Sequence, residues 1–182
     1  MFALKIMVII AHPQLNHSRA NQTWILELKK HANIDVRDLY QEYPDWKIDR
    51  EREQQLLLQY DRVVFQFPFY WYSSPPLLKK WFDDVLTYGW AFGPGGDHLK
   101  GKEFIVATTT GGTESGYRSG GNNWFTISEL LRPIQSTITR CNGNYLPAFV
   151  TYNANEATDI QLAQEAKKYT DHIQTSMRVL VH

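Results

Sequence analysis

The chain of 182 residues has few of the features of a secreted or membrane protein. Its one cysteine, Cys141, excludes an internal disulfide framework. No apolar run approaches the roughly 20 residues that a transmembrane helix needs. The opening segment MFALKIMVIIAHP is interrupted by His12 and Pro13 too early for a secretory signal. We therefore expect a cytoplasmic protein.

An excess of charge of either sign is also missing. Lys plus Arg and Asp plus Glu both total 19, so the net charge is zero. A protein that binds nucleic acid or an anionic membrane surface usually carries a basic face, and we predict no nucleic-acid partner. The length falls in the usual range of one domain, and with no linker or internal repeat we expect residues 1–182 to form a single domain.

Aromatic residues, by contrast, are abundant at 14% of the chain. The stretch QFPFYWYSSPP, residues 66–76, places Phe67, Phe69, Tyr70, Trp71 and Tyr72 within six positions. Such rings can pack a core or a dimer interface, or they can cover a planar ligand. The position of this stretch in the fold has to decide between these roles.

Short β-branched apolar runs alternate with longer amphipathic segments along the whole chain. This alternation predicts right-handed crossovers and a parallel sheet with helices on both faces. Strands are predicted at 3–11, 33–39, 61–67, 102–110 and 145–152, and helices at 19–30, 49–60, 74–86, 126–138 and from about Thr158 to Val179. Five such units favour a flavodoxin-like α/β fold, a three-layer sandwich with a five-stranded parallel sheet in the order 2-1-3-4-5.

Ligands of such sheets bind beyond the carboxyl ends of the strands, near the point where the strand order reverses. The segments that leave the first, third and fourth predicted strands are HPQLNHSRAN (12–21), PFYWYSSPP (68–76) and TTGGTESGY (109–117). Because these strands are neighbours in the predicted order, we expect the three loops to form one crevice.

The first loop lacks the G-x-G-x-x-G and P-loop fingerprints. A phosphate could still bind to the free N–H groups at the start of the first helix, with His12, Ser18 and Asn21 as further donors. The alternative is that His12 makes only a local hydrogen bond and Ser18 is only a helix cap. No third ligand accompanies His12 and His17, and we predict no metal site.

The TTGG segment offers backbone N–H groups that no side chain obstructs, which suit an anion or a polar heterocycle. The nearby GTESG is not a nucleophile elbow, since Ser115 stands one place too late for G-x-S-x-G. A planar redox cofactor would use all three loops: phosphate at the first, and the ring edge and ring carbonyl at the other two. This is the layout of flavin mononucleotide (FMN).

Three motifs together, AHP…HSRAN, QFPFYWYSSPPLLKKWFDDVLTYGWAFG and TTTGG…Y, resemble the flavodoxin-like NAD(P)H:quinone oxidoreductase family. The similarity is to its bacterial general stress protein branch, next to the ancillary oxidoreductases of glutathione-gated potassium efflux systems. The resemblance implies FMN as cofactor and Tyr117 as a tyrosine near the flavin carbonyl. It implies cofactor binding by His12, Ser18, Arg19, Ala20, Asn21, Pro68, Phe69, Tyr70, Trp71, Tyr72, Thr109, Thr110, Gly111 and Gly112.

The resemblance also implies ping-pong transfer of two electrons from NAD(P)H to quinones or to similar nitroaromatic and azo acceptors, in a homodimer whose second subunit completes the pocket. The active-site histidine of the eukaryotic relatives has no counterpart in SGGNNW, which offers Asn122 or Asn123. The C-terminal extension that accompanies FAD in those relatives is lacking, which favours FMN over FAD.

Three other functions stay open. The first is a flavin-binding regulatory subunit of a glutathione-gated potassium efflux transporter. The second is a one-electron carrier, but such carriers are usually acidic and this chain has zero net charge. The third is a flavin-free domain whose aromatic loops only pack.

Overall fold

A computed structural model describes residues 4–175, and its centre is one parallel sheet. The strands are β1 (Ile6–Ile10), β2 (Ile34–Asp38), β3 (Arg62–Pro68), β4 (Glu103–Thr109), β5 (Asn144–Tyr145) and β6 (Phe149–Thr151). They run in the order β2-β1-β3-β4, and the short strands β5 and β6 both pair with β4. Val8 lies opposite both Val36 and Val64, so β1 stands between β2 and β3 as predicted.

Helices connect these strands. They are α1 (Arg19–Leu28), α2 (Leu39–Glu42), α3 (Arg50–Leu57), α4 (Pro76–Val85), α5 (Ile127–Leu130), α6 (Arg132–Arg140) and α7 (Asp159–Gln174). The side chains of Ser18, Asp49 and Thr158 accept hydrogen bonds from first-turn N–H groups and thereby fix where α1, α3 and α7 begin. The predicted end of the last helix at Val179 lies outside the described residues.

The sheet is buried on both faces. All five residues of β1 are buried, which explains its unbroken apolar sequence. On one face, α1 and α7 pack through side chains such as Trp24 and Ile173. On the other face, α3, α4 and α6 contribute Leu57, Trp81 and Ile138. The predicted three-layer fold and strand order are confirmed.

The structure corrects two predicted elements, and both corrections involve proline. The single helix predicted over 126–138 is divided at Leu131 into α5 and α6, because Pro133 has no N–H to donate and its ring excludes the carbonyl four residues earlier. The fifth strand predicted over 145–152 is interrupted around Pro147 and becomes β5 and β6.

A third difference is the short helix α2, which begins where the second strand was predicted to end. The Asp38 carboxylate accepts hydrogen bonds from the N–H groups of Tyr40 and Gln41 and so starts a helical turn at once. Within residues 4–175, no helix has the length and apolar character to cross a membrane.

Candidate functional site

A cleft of about 490 Å³ lies at the carboxyl edge of the sheet, where the loops after β1, β3 and β4 meet. The order β1-β3-β4 makes these loops neighbours, as predicted. Most of the residues singled out from the sequence line it: His12, Ser18, Arg19, Ala20, Pro68, Phe69, Tyr70, Thr109, Thr110 and Gly111. Asn21, Trp71, Tyr72, Gly112 and Tyr117 are placed outside its lining.

The start of α1 forms one wall of the cleft and has the properties of an anion site. The N–H groups of Arg19 and Ala20 lie in the first turn, where the helix itself supplies no acceptor. The helix dipole adds partial positive charge at the same end. Ser18 Oγ accepts from Asn21 N at 3.3 Å and from Asn21 Nδ2 at 3.0 Å, which leaves its hydroxyl hydrogen free to donate.

The Arg19 side chain also lines the cleft at this wall. Its guanidinium pairs with Asp159 at 2.5 Å and donates to the carbonyl of Ala157 at 3.2 Å. It therefore links the start of α1 to the start of α7. Its positive charge is already paired with a carboxylate.

His12 follows β1 and is 8% exposed. Its Nδ1 accepts a hydrogen bond from the backbone N–H of Gln14 at 3.0 Å, which places the proton of the neutral ring on Nε2. Burial lowers the pKa of His12 below its ordinary value of 6.5. The local hydrogen bond that the sequence offered as an alternative role is present, and it coexists with a position in the cleft wall.

The aromatic loop after β3 makes a tight turn. Phe67 is buried within β3. Tyr70 and Ser73 exchange backbone hydrogen bonds of 3.0 and 2.9 Å, and between them Trp71 and Tyr72 have φ of 44° and 61°. Two consecutive left-handed residues define a type I′ turn, which Asn-Gly usually fills. Bulky residues there are strained, and strain of this kind is concentrated at functional sites.

Trp71 lies in this turn and is 92% exposed. Pro75 and Pro76 lead directly into α4. Tyr72 donates its hydroxyl to Asn123 Oδ1 at 3.3 Å. Asn123 belongs to the stretch SGGNNW. The aromatic loop and this stretch are thus in contact.

The TTGG loop after β4 forms the third wall together with the segment after β6, which was not among the predicted site segments. Thr110 N donates to the carbonyl of Thr151, and Ala154 N donates to that of Thr110, both at 2.9 Å. The segment after β6 thereby brings Ala154 and Asn155 into the lining. Their position at the carboxyl end of the fifth predicted strand was the signal that could have identified them.

Tyr117 lies beside the cleft and lines a separate groove of about 1080 Å³. Its ring meets Phe69 edge to face at 5.9 Å between centroids. A Cβ on Gly112 would come within 2.9 Å of this ring, so glycine allows the close approach. The Tyr117 hydroxyl is protonated at neutral pH, and burial raises its pKa further.

Comparison with known proteins gives relatives that match almost the whole chain. General stress protein 14 of Bacillus subtilis is 53% identical over 171 residues, covering 94% of this chain and 98% of the relative. YdeQ, an NAD(P)H oxidoreductase of the same organism, is 49% identical, covering 93% of this chain and 86% of the relative. KefG of Salmonella paratyphi B, an ancillary protein of a glutathione-regulated potassium-efflux system, is 42% identical, covering 91% and 90%.

A solved structure agrees with these relatives. The crystal structure of general stress protein 14 from Treponema denticola in complex with FMN is 37% identical, with a TM-score of 0.89 over 93% of this chain and 99% of that one. A family model described as having a flavodoxin-like fold matches residues 4–173. The chain therefore belongs to this flavodoxin-like family, in the branch of general stress protein 14, the YdeQ oxidoreductase and KefG.

Proposed function

We propose that the protein is an FMN-dependent NAD(P)H oxidoreductase that passes two electrons to quinones or similar acceptors. The observation that carries this proposal is the group of N–H and hydroxyl donors at the start of α1, which lines a cleft between two loops suited to a flat ring. The oxidoreductase and the FMN complex among the relatives support it.

The residues present fit the phosphate of FMN. The N–H groups of Arg19 and Ala20, the Ser18 hydroxyl and the Nε2–H of neutral His12 are all donors on the cleft wall. A phosphate supplies only acceptors at neutral pH. Donors without competing acceptors at the start of a helix are what such a group needs.

The residues also fit the flavin ring. The backbone N–H groups of Trp71 and Tyr72 have no acceptor in the described part of the chain, and the strained turn holds them in one orientation. The N–H groups of Gly111 and Gly112 are likewise without an acceptor among residues 4–175. We assign the first pair to the ring edge and the second pair to the pyrimidine end.

Bound in this cleft, FMN would supply the redox chemistry, with hydride accepted from NAD(P)H and two electrons delivered in a second half-reaction to a quinone, nitroaromatic or azo acceptor. The chain's own part is to bind, to orient and to stabilise charge. The Tyr117 hydroxyl and the N–H groups of Gly111 and Gly112 are donors for the negative charge that develops at the pyrimidine end on reduction.

A homodimer is part of this proposal. Trp71, Trp124 and Phe125 are 92%, 73% and 54% exposed, and the hydrogen bond from Tyr72 to Asn123 brings their two loops together. Exposed aromatic side chains grouped in this way are typical of interaction surfaces. A second copy over this surface would also cover the open side of the cleft. Light scattering after size exclusion should give twice the chain mass, and a monomer at micromolar concentration would refute this part.

The absorption spectrum of the purified protein tests the main proposal. After reconstitution with FMN and removal of free flavin, we expect flavin absorption at a stoichiometry of one per chain. Anaerobic mixing with NADH or NADPH should then bleach it, and a quinone should restore it. Flavin that does not stay bound, or that neither nucleotide reduces, would refute the proposal.

Similarity to KefG favours one second candidate, a regulatory subunit of a potassium efflux transporter. The two functions differ in what the protein must bind. Co-purification with a transporter at a fixed stoichiometry, with reduction by NAD(P)H too slow for turnover, would favour regulation over catalysis.

A further inference from the structure

A chain of buried polar side chains runs beneath the cleft from α7 to α1. The Tyr169 hydroxyl donates to Gln66 Oε1 at 3.2 Å, and Gln66 Nε2 donates to Asn21 Oδ1 at 3.0 Å. Asn21 Nδ2 then donates to Ser18 Oγ at 3.0 Å and to Thr109 Oγ1 at 3.3 Å. Tyr169, Gln66 and Asn21 are each 0% exposed, and we call these three residues the buried polar chain.

The directions of these hydrogen bonds are set at the Tyr169 end. Burial raises the pKa of Tyr169 well above its ordinary value, so its hydroxyl keeps a hydrogen that needs an acceptor. Within residues 4–175 that acceptor is Gln66 Oε1. Gln66 must then present its amide nitrogen to Asn21, and Asn21 must present its own amide nitrogen to Ser18 and Thr109.

The opposite orientation has a different consequence at the cleft. If both amides turned over, Asn21 Oδ1 would face Ser18 and Thr109, and their hydroxyl hydrogens would be donated to it. In the observed orientation, the two hydroxyl oxygens accept from Asn21 instead. Their hydrogens are then free, and both residues line the cleft.

We propose that Gln66 and Tyr169 are positioning residues for phosphate recognition, acting through Asn21 to keep the Ser18 hydroxyl a donor toward the phosphate of the cofactor and the Thr109 hydroxyl a donor into the cleft. This inference rests on the proposed function. It assigns the Asn21 side chain to orienting these hydroxyls, and it gives a role to Gln66, a polar residue in a strand that is otherwise mostly apolar.

The comparison of FMN with riboflavin tests it, because riboflavin lacks only the phosphate. We would measure the dissociation constants of both flavins for the wild type, Tyr169→Phe and Gln66→Met, which change no charge. Thr170→Val is the matched control. Thr170 is also buried on α7, but its hydroxyl donates to the Ala166 carbonyl, which is not part of the buried polar chain.

We expect Gln66→Met to reduce the preference for FMN over riboflavin about tenfold, as loss of one hydrogen bond to a charged group would. Tyr169→Phe should reduce it several-fold, and Thr170→Val should leave it unchanged. Equal weakening of both flavins, or an unchanged preference in Tyr169→Phe, would overturn the inference. A wild type that binds riboflavin as tightly as FMN would instead refute the proposed phosphate site. If Gln66→Met does not fold, Tyr169→Phe decides.

Discussion

Ser18 can act as a helix cap, as a phosphate ligand or as both, and the substitution Ser18→Ala separates these roles. As the N-cap of α1, its loss should lower the free energy of unfolding by about 1 kcal/mol. As a ligand, its free hydroxyl hydrogen would donate to a phosphate. A hydrogen bond to a charged group is worth about 1.5 to 3 kcal/mol, so Ser18→Ala should raise the FMN dissociation constant by roughly 10-fold to 150-fold.

Thr158→Ala is the control for the capping role alone. Thr158 caps α7 through the N–H of Gln161 at 3.3 Å, the same distance as between Ser18 Oγ and Asn21 N, and it does not line the cleft. Denaturant melts of the flavin-free proteins should show similar losses of stability. Titrations that follow flavin fluorescence should show a large loss of FMN affinity in Ser18→Ala alone. A similar, few-fold loss in both variants would mean that Ser18 is only a cap.

Three further predictions concern His12, Trp71 and Arg62. Because burial lowers the pKa of His12, the flavin-free protein should lose stability as the pH falls below 6.5. This group should contribute at most about 1.4 kcal/mol of that loss per pH unit. In urea melts, the free energy of unfolding should differ less between pH 5.5 and 7.5 for His12→Gln than for the wild type. Trp71→Ala should change the free energy of unfolding by less than about 0.5 kcal/mol, because the side chain is 92% exposed. It should nevertheless weaken dimerisation or FMN retention. No effect on either would count against the turn's proposed role. Arg62→Met should lower the free energy of unfolding by about 3 kcal/mol or more. The reason is that the buried guanidinium pairs with Glu103 and donates to the carbonyl of Thr175. A loss under about 1 kcal/mol would contradict this prediction.

The sequence was informative wherever one local rule determined the result. The unbroken apolar run of β1 indicated burial on both faces, and the alternation of strands and helices predicted a parallel sheet. Five such units favoured the flavodoxin-like strand order, which the structure has. The position of the cleft followed from that order, because the loops after adjacent parallel strands meet at one edge. Most of the residues that line the cleft belong to the three segments named from their place after a strand.

What the sequence could not predict depends on contacts between distant segments. The lining by Ala154 and Asn155 depends on backbone hydrogen bonds between the loops after β4 and β6. The side chain of Asn21 was predicted to face the cofactor, whereas the structure places it below the cleft, bonded to Gln66, a residue 45 positions away. No local pattern records such a pairing.

Two departures from the local rules of folding lie at this one edge of the sheet. The turn at Trp71 and Tyr72 places bulky residues where glycine is favoured, and β3 buries the amide of Gln66 among apolar neighbours. The turn costs stability, the Gln66 amide is buried only because Tyr169 and Asn21 bond it, and the sheet order requires neither feature. Relief of the turn by glycine would free its N–H groups to move, and an apolar residue at 66 would release the amide of Asn21. The turn orients N–H groups beside the cleft, and Gln66 orients hydroxyls in its lining through Asn21, so the proposed FMN site accounts for both with one cause.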